Sequence, residues 1–420
     1  MREIVHQSRA EWCITISRAK HGVFPLASRL AVNPVWLSVI LTLAIQSLVS
    51  LVVFTPPVLA PDAQADVGVA ASSVGIVTSL IYFSAVFGAL RSGGAIARRG
   101  PMRVSQGSLV LCGAGIALMA SGSIALIVLG ALVIGFGYGP ITPASSAILA
   151  DRAPPKLRSL IFSIKQTGVP VGGAIAGALV PALVLALGWR TAALSIGVLS
   201  AALAFVVQPW RAQIDADSAG LGTTTKQGLI DPLRMVLQHP RLREMGFASF
   251  AYSGMQMCLA SYLVVFLYER AGFSLPVAGA ALSTAMTAGI AGRVFWGVVA
   301  DHWVAPRRLL GILGVAMSLA AFAMAPAGHD WPTALVLLVS AIYGATAIGW
   351  NGVYLAEVAR VVPAGQAAAA TGGTLAMTYL GVVVMPILFW ASVAATGSYA
   401  PAFVGMGCLT LWRGAFFLRA

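Results

Sequence analysis

The sequence predicts an all-α membrane protein with twelve transmembrane helices, and three observations support this prediction. Hydrophobic residues make up 59% of the chain and charged residues only 9%, whereas soluble domains contain about 25% charged residues. The apolar residues form long runs, and a run of about 20 apolar residues spans a bilayer as a helix. Basic residues are concentrated in every second loop between these runs.

Turn residues and charges separate the apolar runs into twelve predicted spans. The predicted spans are 34–59, 72–92, 104–121, 123–149, 158–185, 190–209, 244–268, 276–299, 308–326, 332–358, 368–394 and 400–418. Residues 1–33 are basic and of mixed polarity, which predicts a cytoplasmic tail. A secretory signal would place its apolar core nearer the start of the chain.

The loop charges predict that both termini lie in the cytoplasm. The segments at the cytoplasmic ends of spans 2, 4 and 8 hold Arg91, Arg98, Arg99, Arg103, Arg152, Lys156, Arg158, Arg307 and Arg308. The opposite loops contain Arg190 and Arg270 as their only basic residues, together with acids such as Asp62 and Asp66. Because loops with an excess of Lys and Arg stay in the cytoplasm, topology explains the net charge of +13 and no nucleic-acid partner is expected.

The longest polar stretch predicts a division of the chain into two halves. Residues 210–243 are predicted to form a cytoplasmic central loop between six-helix bundles at 34–209 and 244–420. Gln46 and Gln256 lie midway along spans 1 and 7, and Asp151 and Glu357 end spans 4 and 10. This weak internal symmetry is typical of transporters built from repeated halves, so two pseudo-symmetric bundles are expected.

The segment "GRVFWGVVADHWVAPRR" after span 8 resembles the loop signature of the major facilitator superfamily. The resemblance rests on a glycine, three residues, an aspartate and a basic cluster, which are Gly297, Asp301, Arg307 and Arg308. It implies a twelve-helix transporter that works by alternating access. It also implies that spans 1, 4, 7 and 10 line the cavity, with spans 2, 5, 8 and 11 beside them.

The first-half counterpart of this signature, "GAIARRGPMR", departs from the family pattern. It retains Gly94, Arg99, Gly100 and Arg103, but Arg98 stands where the family has an aspartate. An arginine usual in span 4 of the family is also missing from "ALVIGFGYGPITP".

The second-half signature predicts a gate at the cytoplasmic side. Arg293, Gly297 and Asp301 follow at i, i+4 and i+8, so they share one face of span 8. A glycine allows a neighbouring helix to approach closely, and the flanking charges can then bind the end of that helix. The alternative is a basic loop that only sets topology. The candidate gating residues are Gly94, Arg98, Arg99, Asp151, Arg158, Arg293, Gly297, Asp301 and Glu357.

Lys165 is the clearest charge inside an apolar run, and such charges are functional candidates because lipid disfavours them. It follows Arg158 by seven residues, which places it about 10 Å deeper along span 5. Gly168 and Gly172 share its helical face, so we expect this face to pack against another span and Lys165 to point inward. The alternatives are that it reaches the headgroups or pairs with a carboxylate at a helix end.

Six neutral residues complete the candidate substrate contacts, although residues of these types also form plain interhelical hydrogen bonds. They are Gln46, Tyr138, Gln256, Trp350, Asn351 and Tyr379.

Taken together, the residues favour a secondary carrier of a small organic anion. An inward ammonium suits a carboxylate substrate, and "KQTGVPVGG" and "GWNGVYLAEVAR" resemble permeases of the organic-anion, cyanate and monocarboxylate branches. The alternative is a multidrug efflux antiporter, which "GVPVGG" supports loosely and the lack of a mid-span carboxylate opposes. The sequence has no Walker loop, HExxH or GxSxG motif, so no enzyme, cofactor or metal site is expected. We expect a monomer in the bacterial inner membrane, with a proton or a counter-substrate as the open choices of coupling partner.

Overall fold

The computed structural model describes residues 34–68, 74–218, 228, 230–363 and 365–419, so the predicted tail at 1–33 lies outside the described residues. Within these ranges, twelve helical segments are long and apolar enough to cross a membrane. The predicted fold class and the predicted number of spans are therefore confirmed.

The helices follow one another along the chain with short connections. They are Pro34–Val67 (span 1), Val74–Arg99 (span 2), Pro101–Met119 (span 3), Ile124–Tyr138 and Ile141–Arg152 (span 4), Arg158–Gln166 and Gly168–Leu187 (span 5, after a 3₁₀ turn at Pro155–Leu157), Trp189–Val206 (span 6), Pro240–Glu269 (span 7), Leu275–His302 (span 8), Pro306–Met324 (span 9), Thr333–Ala347 and Asn351–Val361 (span 10), Ala367–Thr396 (span 11) and Ala400–Arg419 (span 12).

Spans 4 and 10 are interrupted at corresponding points of the two halves. Span 4 breaks at Gly139 and Pro140, and span 10 breaks over residues 348–350. Pro140 lacks an N–H and cannot continue the hydrogen-bond ladder, which accounts for the break in span 4. The freed backbone groups lie inside the bundle, where broken membrane helices are tolerated.

The two halves also repeat one helix contact. Spans 3 and 6 meet at Gly113, where a Cβ atom would lie 2.6 Å from the Gly197 carbonyl oxygen. Spans 9 and 12 meet at Gly414, where a Cβ atom would lie 2.9 Å from the Gly311 carbonyl oxygen. Membrane helices associate through such small residues because close backbone approach maximises packing. The contact supports the pseudo-symmetry seen in the sequence.

The buried apolar residues form two main clusters. One extends from Leu41 to Ile214 and gains Leu375 and Tyr379 from span 11. The other is built mainly from residues 236–417 and gains a few side chains of spans 1, 4 and 5, such as Phe162. Each half therefore has its own core, and each core includes a few side chains of the other half where the halves meet. The boundaries at 209 and 243 stay predictions.

The central loop is more ordered than its composition predicts. The sequence favours a linker over 210–243, but two short helices, Gln208–Ser218 and Asp231–Gln238, occupy part of it. The carboxylate of Asp215 accepts a hydrogen bond of 2.8 Å from the Met102 N–H, which begins the helix of span 3. Burial raises the pKa of Asp215, while its backbone hydrogen bonds and the nearby arginine charges oppose the shift. This helix joins the loop to the first half.

Candidate functional site

Lys165 is buried within the bundle, with only 1% of its surface exposed. Its ammonium donates hydrogen bonds to the Oε1 atoms of Gln46 at 2.8 Å and Gln166 at 2.9 Å, and more weakly to the Thr142 hydroxyl at 3.4 Å. Within the described residues it forms no ion pair. The predicted inward direction of Lys165 is confirmed, and its cationic charge is met by neutral oxygens only.

Close packing between spans 5 and 1 fixes the position of Lys165. A Cβ atom on Gly168 would lie 2.9 Å from the Gln46 Cβ atom, and one on Gly172 would lie 2.6 Å from the Ser50 Cβ atom. The predicted small-residue face is thus confirmed as a helix contact. It holds Gln46 opposite Lys165, since Gly168 follows Lys165 by one helical turn.

Arg293 of the second half reaches the same point from span 8. It is 2% exposed, its Nη1 atom donates to the main-chain oxygen of Gln166, and its Nε atom donates to the Ile348 oxygen at 3.1 Å. Within the described residues Arg293 also forms no ion pair. Two buried cations from opposite halves therefore converge on Gln166 with no carboxylate to compensate them, which is unfavourable unless an anion binds.

Three tyrosine rings lie beside this polar cluster. The ring centroids of Tyr82 and Tyr138 are 6.2 Å apart, those of Tyr82 and Tyr379 are 5.9 Å apart, and those of Tyr138 and Tyr379 are 6.1 Å apart. Tyr138 is close to Gln46 and within electrostatic reach of Arg293. Spans 2, 4 and 11 thus supply an aromatic wall next to the cations.

The second half repeats the glutamine contact without a charge. Asn351 Nδ2 donates to Gln256 Oε1 at 3.1 Å, and in the first half Thr142 donates to Gln46 Oε1 at 3.2 Å. Trp350 is fully buried, with its ring 5.6 Å from that of Tyr252. It belongs to the second-half core in this structure, so its substrate contact stays a prediction.

The predicted gate residues of span 8 contact the start of span 5. Asp301 accepts hydrogen bonds from the main-chain N–H groups of Ser159 at 2.9 Å and Leu160 at 2.8 Å. A Cβ atom on Gly297 would lie 2.9 Å from the Leu160 Cα atom. The carboxylate thereby satisfies two free N–H groups at a helix N-terminus, where negative charge is favourable. The geometry is the one the spacing of Arg293, Gly297 and Asp301 predicts.

Two further contacts join the halves at the same end of the bundle. Gly352 of span 10 packs directly on the backbone of Ser163 in span 5, and Gly372 of span 11 packs on the Ala89 carbonyl of span 2. With the Asp301 contact, spans 5, 8 and 10 meet on one side of the bundle and spans 2 and 11 on the other. The halves are therefore closed at the end that bears the basic loops.

The first-half loop is built differently from its second-half counterpart. Arg91, Arg98 and Arg99 are exposed and line a cavity of about 480 Å³ together with buried Gly94. No carboxylate is among the residues that line it. The arginine that replaces the family aspartate thus lines the same cavity as two other arginines.

Three other gate candidates lie near the helix ends that bear the basic loops. Asp151 is exposed, and Arg158 donates to the Ala150 carbonyl at 3.2 Å. Glu357 is 8% exposed and forms an ion pair with Arg360. Their part in gating stays a prediction.

The sequence did not single out Gln166, Thr142 or Tyr82 as site residues. Gln166 follows Lys165 in the chain and accepts a hydrogen bond from it, and Thr142 lies between two prolines at the break in span 4. A polar residue next to a helix break inside an apolar run is the signal that points to Thr142, because broken spans form transporter binding sites.

A cavity of about 360 Å³ opens at the other end of the bundle. It lies between spans 2, 7 and 11 and is lined by Tyr82, Met257, Tyr262, Val382 and Pro386, among others. Tyr82 belongs both to this cavity and to the three-tyrosine wall. The wall therefore borders a space that lies away from the closed end.

Comparison with known families agrees with the architecture described above. Residues 35–386 match the family described as the Major Facilitator Superfamily. The chain belongs to this superfamily. It is a multi-pass membrane transporter, and the resemblance that the loop signature predicted is confirmed.

Individual members show how far the similarity extends. The transporter is 23% identical over 381 residues to the "Hexuronate transporter" of Bacillus subtilis (strain 168), covering 86% of this chain and 88% of that one. It is 29% identical over 153 residues to the "4-hydroxybenzoate transporter PcaK" of Pseudomonas putida, covering 36% of this chain and 34% of that one.

Solved structures share the fold at low identity. The human organic anion transporter MFSD10 (TETRAN) matches with a TM-score of 0.74 and 19% identity, covering 92% of this chain and 100% of that one. The transporter FucP in the outward conformation matches with a TM-score of 0.73 and 17% identity, covering 92% of this chain and 99% of that one.

Proposed function

We propose that this transporter is a secondary carrier that moves a small organic anion, bound through a carboxylate, across the bacterial inner membrane by alternating access. The observation that carries the proposal is the convergence of Lys165 and Arg293 on Gln166. Both cations are buried and have only neutral partners among the described residues. A carboxylate between them offsets their charge, and the cations in turn offset the cost of taking the anion out of water.

The similar proteins support a carboxylate substrate. Hexuronates and 4-hydroxybenzoate, the substrates in the names of two relatives, both carry one carboxylate on a hydroxyl-bearing ring. The grouping of Tyr82, Tyr138 and Tyr379 favours a flat aromatic ring as part of the substrate, because aromatic rings pack favourably against one another. A hexuronate would need a polar partner for each hydroxyl. The proposed substrate is therefore an aromatic carboxylate.

The proposed cycle starts from the conformation described here. The anion enters through the 360 Å³ cavity beside Tyr82, on the side away from the basic loops. The Asp301 contacts with Ser159 and Leu160 keep the opposite side closed until the halves rock about the site. This gives uptake into the cell when both termini lie in the cytoplasm, as the loop charges predict. The protein acts as a monomer, and a proton enters with the anion or a counter-substrate leaves.

Reconstituted protein tests the proposal directly. Proteoliposomes are assayed for uptake of radiolabelled 4-hydroxybenzoate, a hexuronate and the lipophilic cation tetraphenylphosphonium, with and without an inward proton gradient. We expect saturable uptake of the aromatic carboxylate, inhibited weakly by the hexuronate. Acceleration by the proton gradient identifies the proton as the partner, whereas acceleration by internal carboxylate identifies exchange.

A lysine pair provides the matched control. Lys165→Ala removes the buried ammonium and is expected to reduce anion uptake by 100-fold or more, since a charge-assisted hydrogen bond in a buried site contributes about 3 kcal/mol. Lys156→Ala removes an exposed ammonium nine residues earlier and is expected to leave uptake unchanged. Wild-type anion uptake by Lys165→Ala, or transport of the cation alone, rules out the proposal.

A further inference from the structure

One face of span 2 changes character along its length. Phe83, Phe87, Arg91 and Arg98 follow at i, i+4, i+8 and i+15, so they lie within one sector of the helix surface. All four side chains are exposed, and Phe83 and Phe87 are in ring contact at 5.3 Å. The face is apolar near the middle of the membrane and basic towards the inner end.

The basic part of this face is a cavity rather than a flat surface. Arg91, Arg98 and Arg99 line its volume of about 480 Å³, and Phe136 of span 4, which is 39% exposed, forms part of its wall. Spans 2 and 4 are in close contact at Gly88, where an added Cβ would meet the Phe136 backbone. The cavity therefore lies beside this helix contact and extends along span 2 to Arg98 and Arg99.

The charges in this cavity are uncompensated. Within the described ranges none of Arg91, Arg98 and Arg99 forms an ion pair or a hydrogen bond with a side chain. Arg91 precedes the end of the helix at Arg99 by eight residues, which places its Cα about 12 Å inside that end. An arginine at this depth needs an anionic partner, because an isolated charge near the hydrocarbon is costly.

We propose that this groove binds an anionic phospholipid of the inner leaflet. The phosphate lies in the cavity between Arg91 and Arg98, and one acyl chain lies along Phe87 and Phe83. Basic pockets between membrane helices on the cytoplasmic side bind anionic headgroups in this way. The exposed rings of Phe87 and Phe83 contact the part of the acyl chain nearest the headgroup. Arg98 makes the site selective, since an aspartate at that position would repel the phosphate. The proposal is independent of the substrate.

Native mass spectrometry of the purified full-length protein tests the site. The protein in detergent is titrated with phosphatidylglycerol or phosphatidylcholine, and the Kd for the first bound lipid is measured. We expect phosphatidylglycerol to bind at least tenfold more tightly. Arg91→Gln and Arg98→Gln are each expected to weaken phosphatidylglycerol binding about fivefold, the value for one basic residue near a membrane surface, and to leave phosphatidylcholine binding unchanged.

Three further arms separate the alternatives. Arg308→Gln changes an exposed arginine in the corresponding loop of the second half and should preserve the lipid preference, whereas Arg98→Asp should abolish it. Phe87→Ala should weaken phosphatidylglycerol binding if the acyl chain is bound. Inorganic phosphate at millimolar concentration should not displace the lipid, and displacement overturns the proposal in favour of a site for free phosphate.

The proposal fails if both lipids bind equally. It also fails if Arg98→Asp, a change at an exposed helix end that leaves the packing intact, keeps the wild-type preference. A melting temperature measured in phosphatidylcholine confirms that each variant is folded, so that a loss of binding reports on the groove.

Discussion

Asp301→Asn is expected to weaken the closure of the bundle at its basic end. The carboxylate accepts two hydrogen bonds, from Ser159 N at 2.9 Å and Leu160 N at 2.8 Å. Asparagine retains one acceptor but turns an NH₂ group towards the second N–H. One hydrogen bond to a charged acceptor contributes about 1.5–3 kcal/mol, and a charge at a helix N-terminus contributes about 0.3–1 kcal/mol. Because Asp301 is only half-buried, we take about 2 kcal/mol, a shift of about 30-fold towards the opened form.

Spin-label distances measure this shift directly. Labels at Lys156→Cys and Arg308→Cys, both exposed near the contact on opposite halves, are introduced after the native cysteines have been replaced by alanine. We expect a longer-distance population to grow in Asp301→Asn. Asp62→Asn, an exposed change at the other end of the bundle, is the control. A distance distribution identical to that of the parent would refute the assignment of Asp301 to the gate.

Three other substitutions have expected outcomes. Gly172→Val forces spans 1 and 5 apart and should lower the melting temperature by several degrees. Gly177→Val should not lower it, because a Cβ atom at that position meets nothing within 4 Å. Equal effects of the two substitutions would contradict the packing argument. Gln46→Glu places a carboxylate about 2.8 Å from the Lys165 ammonium. It should raise the melting temperature of the ligand-free protein and abolish substrate binding, both measured by thermal shift. Retained binding excludes an anion site there. Asp215→Ala removes the cap of span 3 and should cost about 1 kcal/mol, whereas Asp215→Asn retains an acceptor; calorimetry separates the two.

The fold could be predicted from the sequence because bilayer physics leaves few alternatives. An apolar run must form a helix in lipid, and loop charge predicts the orientation of the spans. Lys165 could be found because it is a charge in such a run, and Asp301 because its spacing from Gly297 matches a helical face. These signals are local in the chain, so one sequence is sufficient to detect them.

The contacts that complete the site depend on distant residues and neutral groups. Asp215 lies 113 residues from the Met102 N–H that it binds, and its segment has a linker composition that conceals the helix. The break in span 10 has no proline within it, so the sequence does not mark it in the way that Pro140 marks the break in span 4. Arg293 was predicted as a gate residue, but its approach to Gln166 depends on how the halves dock. Helix periodicity contains no information on that docking.

Gln166 connects the binding site to the gate. Through this connection, substrate binding can lower the cost of opening the proposed carrier. Its side chain accepts a hydrogen bond from Lys165, and its main-chain oxygen accepts one from Arg293 of the other half. Separating the halves at the basic end breaks the second bond and leaves the buried Arg293 guanidinium without that acceptor, which is costly in a low-dielectric interior. A bound carboxylate removes much of that cost. The empty protein should therefore rest in the closed form described here, and the anion should accelerate its exchange with the opened form.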